Sequence, residues 1–95
     1  MADGTAPITR VVKIINTKGL HARASAKFVQ TAAKFDAQVS VQKDGHAVSG
    51  TSIMGLMMLG AGIGSELTLS SQGAQALEAI DALQTLIDNK FGEDN

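Results

Sequence analysis

The sequence predicts an α+β domain, an open two-layer sandwich in which a four-stranded antiparallel sheet carries three helices on one face. Three observations predict it. "AQVSVQK" and "SELTLSS" alternate apolar with polar residues at period two, as strands with one wet face do. Two longer segments, about 22–34 and 74–90, repeat their apolar residues at helical spacing instead. Asp44 and Gly45 form the dipeptide that closes a two-residue hairpin.

Each element follows from its residues. "RVVKIIN", residues 10–16, is rich in β-branched side chains and runs into "NTKG", so it reads as a buried strand followed by a loop. From His21, Ser25, Phe28, Val29, Ala32 and Phe35 recur at helical spacing, while Lys27, Gln30 and Lys34 fall on another side. Ala37, Val39 and Val41 then alternate with Gln38, Ser40 and Gln42, and "HAVSG" supplies the strand returning from the hairpin. "TSIMGLMMLG" reads as a short helix with Thr51 or Ser52 as N-cap and Gly60 as its stop. "SELTLSS" is the fourth strand, with Leu67 and Leu69 inward. The last helix places Ala76, Leu77, Ile80, Leu83, Leu86 and Ile87 on one face and Glu78, Asp81, Gln84 and Asp88 on the other. Phe91 and Gly92 end it. The order is β-α-β-β-α-β-α, with residues 1–8 as a flexible N-terminal tail, 9–91 as one domain and 92–95 as a C-terminal tail.

Composition narrows the function. The 95 residues are 44% hydrophobic and 18% charged, as in a globular protein with one core. There is no cysteine, which excludes disulfides and thiolate metal sites. The apolar run "IMGLMMLGAGIG" is shorter than the roughly 20 residues a membrane helix needs, and "MADGTAPITR" lacks the basic start and apolar core of a signal peptide, so a cytoplasmic location is expected. Net charge is −1, yet the basic residues other than Lys90 all lie before His46, and six of the nine acids lie after it. Positive charge around "GLHAR" would attract an acidic protein surface or a phosphate. Nucleic acid is disfavoured, because three Phe and no Tyr or Trp leave little to stack bases on.

The chemistry gathers at "GLHARASAKFV", residues 19–29. His21 stands at the mouth of the first helix, where unpaired N–H groups and the helix dipole favour an anion. A neutral imidazole there has one ring nitrogen free as a nucleophile toward phosphorus. The N–H groups of Ala22 and Arg23 and the forked donors of the Arg23 guanidinium would neutralise a phosphoryl group on the ring. Gly19 allows a sharp turn before it. On these residues alone three readings stand: a phosphoryl carrier, an anion-binding module without turnover, and an ordinary helix-cap histidine beside a surface arginine. The other histidine, His46, reads as an exposed strand residue with no metal-binding partners near it in sequence. Met54, Met57 and Met58, with Ile53, Leu56 and Leu59, are more apolar side chains than one short helix buries on a single face, so some form an adaptable docking patch.

Two blocks of this chain, "GLHARASAKFV" and "SGTSIMGLMMLG", resemble those of the HPr family, the histidine-containing phosphocarriers of the bacterial phosphotransferase system. The resemblance extends over about residues 9–90, and the order of elements is the family's. It departs at Ala24, where the family usually has proline. The resemblance implies that His21 takes a phosphoryl group on Nδ1 from a phosphohistidine of Enzyme I, itself charged by phosphoenolpyruvate, and passes it to a histidine of an EIIA-type domain. This would serve sugar uptake or a nitrogen-related regulatory relay. It implies further that Ala22 and Arg23 bind the phosphoryl group, that Ser52 is the serine phosphorylated by an ATP-dependent HPr kinase, and that Met54, Met57 and Met58 dock partners. A monomeric carrier rather than an enzyme, needing no metal or cofactor and touching neither nucleic acid nor membrane, is the expectation.

Overall fold

The computed structural model of the chain describes residues 6–95; of the expected tail over 1–8, residues 1–5 lie outside them. Strand β1 (Ile8–Lys13) is followed by helix α1 (Ala22–Ala32), the hairpin β2 (Gln38–Lys43) and β3 (His46–Ser49), helix α2 (Ile53–Met58), β4 (Glu66–Gln72) and α3 (Ala76–Asp88), with a 3-10 turn over Lys90–Gly92. The strands form one antiparallel sheet in the order β1-β4-β2-β3. This is the predicted open sandwich.

Register follows from the period-two pattern, because the helices cover one face only. Val41 pairs with Leu69 and Val48, and Val12 with Leu67, on the covered face; Ser40 pairs with Ser70 and Ser49, and Thr9 with Ser70, on the wet one. Asp44 and Gly45 both adopt positive φ, 51° and 84°, the conformation a two-residue turn between twisted strands demands. Phe28 of α1, Leu56 of α2, and Ile80, Leu83 and Ile87 of α3 are fully buried against Val41, Leu67 and Leu69. Arg10 also points to the helical layer, where its guanidinium donates to Asp81 at 2.6 Å and Gln84 at 2.8 Å on α3.

Three expectations needed correction. The run 10–16 is not a buried strand. β1 begins and ends earlier, lies at the sheet edge and alternates, leaving Val11 61% exposed, since nothing covers the second face. Helix α1 stops at Ala32, where Lys34 and Phe35 donate to the carbonyls three residues back. Leu77 does not join the buried stripe of α3 but stands 52% exposed, because Ala76, Ala79, Ile80, Leu83 and Ile87 already define the face that meets the sheet. Among the described residues no helix is long and apolar enough to cross a membrane.

Candidate functional site: a histidine held by the C-terminal turn

Helix α1 starts from a loop pinned against the segment before β4. Gly19 has φ 67°, and a Cβ on it would lie 2.4 Å from the Ala61 carbonyl oxygen, so only glycine permits this approach. Leu20 then donates its N–H to that same carbonyl at 2.9 Å, and the Asn16 amide donates to the Gly19 carbonyl at 2.8 Å. His21 follows as the N-cap of α1 in extended conformation, its ring making no capping bond. The first helical bond runs from the Ser25 N–H to the His21 carbonyl, leaving the N–H groups of Ala22, Arg23 and Ala24 without acceptors among the described residues. Ala22 and Arg23 are exposed, whereas Ala24 is fully buried. Alanine in place of proline therefore packs like any core residue in the first turn.

The ring is not free on both sides. Its Nε2 lies 2.5 Å from a carboxylate oxygen of Glu93, and the other carboxylate oxygen accepts from the Asn16 amide at 3.0 Å. A carboxylate only accepts hydrogen bonds, so the Nε2 carries the hydrogen, and in the neutral ring the lone pair is then on Nδ1. Burial alone would raise the Glu93 pKa, but the hydrogen bonds from His21 and Asn16, with the nearby charge of Lys18, outweigh it and hold the carboxyl below the usual carboxylate range. Glu93 is therefore an anion at neutral pH.

This contact comes from residues 92–95, which the sequence reading sets apart as a C-terminal tail. The chain leaves α3, takes positive φ at Lys90, Phe91 and Gly92, and buries Phe91 almost completely. Lys27 of α1 donates to the Phe91 carbonyl at 2.6 Å, and Thr17 donates its N–H to the Asn95 carbonyl at 2.8 Å. The last residues thus form one wall of a cleft of about 430 Å³ that also touches Lys18, His21 and Arg23. The Arg23 guanidinium has no hydrogen bond or ion pair among the described residues, so its donors are available to an anion. Sequence reasoning did not find Asn16, Lys27 or Glu93 for this site, because Glu93 reaches the ring, Asn16 reaches Glu93 and Lys27 reaches Phe91 only when the C-terminal turn folds back on the loop before α1 and on α1 itself.

The second block lies in α2, packed against α1. Ser52, not Thr51, is its N-cap, accepting from the Gly55 N–H at 3.0 Å. Met58 is 81% exposed, Met54 71% and Met57 42%, while Leu56 and Leu59 fill the core. The methionines therefore face outward as the residue count required. His46 is exposed on β3, and among the described residues no group of three or more His, Asp or Glu stands together as a metal site would.

Comparison with known proteins is consistent across the domain. A family model described as the PTS HPr component phosphorylation site matches residues 8–89. The phosphocarrier protein HPr of Cupriavidus necator is 54% identical over 86 residues, covering 90% of this chain and 97% of that protein. The phosphocarrier protein NPr of Shewanella violacea is 41% identical over 86 residues, covering 90% of this chain and 94% of that protein. A crystal structure of HPr from Thermoanaerobacter tengcongensis superposes with a TM-score of 0.89 at 48% identity, covering 93% of this chain and 99% of that one. Residues 90–95, Glu93 among them, lie beyond the part that the family model matches.

Proposed function

The chain belongs to the HPr family, phosphocarriers of the phosphotransferase system, and from that premise we propose that it carries the phosphoryl group on Nδ1 of His21. One observation carries this reading: Glu93 occupies Nε2 and leaves Nδ1 as the nucleophilic nitrogen at the mouth of α1. In the step, the Nδ1 lone pair forms a bond to the phosphorus of a phosphohistidine on Enzyme I, and the donor's N–P bond breaks with its electron pair returning to the donor ring. The reverse arrangement delivers the group to a histidine of an EIIA-type domain. Charge on the transferring phosphoryl oxygens is met by the exposed N–H groups of Ala22 and Arg23 and by the Arg23 guanidinium, so the protein contributes position and electrostatics. The chain ends the cycle unchanged, as a carrier rather than a catalyst, and needs no metal or cofactor for it.

The relay serves sugar uptake or nitrogen-related regulation in the cytoplasm, with the chain acting as a monomer. Ser52 offers its hydroxyl to an HPr kinase, and Met54, Met57 and Met58 dock the partners. Neither nucleic acid nor membrane enters the scheme.

Phosphorus NMR after incubation with phosphoenolpyruvate and Enzyme I tests the assignment. An acid-labile phosphoimidazole signal is expected, absent from His21→Ala. The same signal in that variant would remove His21 from the role.

A further inference from the structure

We infer that Glu93 is a positioning residue of the carrier, which holds the His21 ring with its hydrogen on Nε2 and pairs with the charge the ring gains when Nδ1 bonds to phosphorus. The inference rests on the reading of His21 as the phosphoryl acceptor. It starts from geometry: a carboxylate that is itself anchored by Asn16 lies 2.5 Å from Nε2. A free imidazole exchanges its hydrogen between two nitrogens, and only the form with hydrogen on Nε2 presents Nδ1 as a nucleophile. An acceptor fixed at Nε2 selects that form before the donor arrives.

The charge balance points the same way. When the Nδ1 lone pair bonds to phosphorus, the ring carries both Nδ1–P and Nε2–H and has become an imidazolium. Glu93 then faces a full positive charge, and the two form a charge-assisted pair. When the group moves on, the N–P bond breaks, its electrons return to Nδ1 and the ring is neutral again. The hydrogen stays on Nε2 throughout, so neither half of the cycle waits for a proton to be moved. The same logic governs the acid that orients a catalytic histidine in a nucleophile–histidine–acid array.

The fold commits structure to this one contact. Lys90 and Phe91 take left-handed backbone angles, 57° and 56°, which cost L-residues energy. They persist because Phe91 is buried and its carbonyl is gripped by Lys27, whose Nζ sits so close that a Cβ on Gly92 would meet it at 3.2 Å. That turn sends residue 93 back to the mouth of α1. A loose tail would need none of it.

The test uses the full chain as wild type, Glu93→Ala and Glu93→Gln, with nitrogen-15 NMR of the His21 ring and the rate of phosphoryl transfer from Enzyme I, after unchanged amide spectra have shown each variant folded. Wild type should show hydrogen on Nε2. Glu93→Ala should show mixed ring forms and transfer slowed at least about tenfold, the loss of one charge-assisted hydrogen bond. Glu93→Gln, whose amide oxygen still accepts from Nε2, should restore the ring form but only part of the rate. An unaltered ring form and rate in Glu93→Ala would overturn the inference. Failure of wild type itself to accept the group would instead sink the carrier reading, and this inference with it; the two failures appear in different proteins.

Discussion

At the scale of single residues, the placement of the His21 ring begins with Gly19. Its φ of 67° and the 2.4 Å that would separate a Cβ from the Ala61 carbonyl oxygen make it the point where the loop before α1 touches the segment before β4. Leu20 bonds to the same carbonyl, so any shift there is passed directly to His21. Gly19→Ala combines a left-handed alanine with a backbone clash, and should cost about 2 kcal/mol or more, which is roughly 10 °C in Tm for a domain of this size. Thermal unfolding reads it. An unchanged Tm would mean that the loop carries no strain and that the ring is placed by other contacts.

At the scale of elements, the strands and helices that meet in one core were legible where their pattern was local. Val39 and Val41, Leu67 and Leu69, and the Asp44–Gly45 turn declare the sheet, because inward alternation and positive φ are requirements of a few adjacent residues. The run 10–16 misled, since its two apolar pairs, Val11–Val12 and Ile14–Ile15, look the same whether the strand is buried on two faces or lies at a one-sided edge. His21, Ala22 and Arg23 could be found as one motif on one helix. Glu93 could not, because 72 positions separate it from His21 and two non-glycine residues must turn left-handed to bring it back. Helix α2 shows a division of labour that can be tested. Met54 and Met58 lie outward while Leu56 packs, so Met54→Ala with Met58→Ala should leave stability within about 0.5 kcal/mol and weaken binding to Enzyme I. Ser52→Asp keeps an N-cap acceptor and should likewise remain folded while binding Enzyme I more weakly through its added charge. Calorimetric titration decides both, and unaltered affinities would remove α2 from the docking surface.

At the scale of the whole molecule, folding redistributes the charge that the sequence separates. Read along the chain, the basic half contains His21 and the acidic half follows it, which implies a positive face for an acidic partner. The C-terminal turn undoes part of this by laying Glu93 and Asp94 on the cleft that Lys18, Arg23 and Lys27 also line. Glu93 is engaged with the ring and Asn16, but Asp94 is exposed and adds a negative charge to the face a donor must approach. Such a charge acts over about a Debye length, roughly 10 Å at 0.1 M salt, and so affects encounter more than folding. Asp94→Asn should therefore speed association with an acidic Enzyme I surface by about twofold at low salt and leave Tm unchanged. The difference should vanish as salt is raised. Stopped-flow association measured across ionic strengths separates the outcomes: a rate gap that closes with salt assigns steering to this face, and equal rates at every salt concentration would show that encounter is guided by charges elsewhere or by the apolar patch alone.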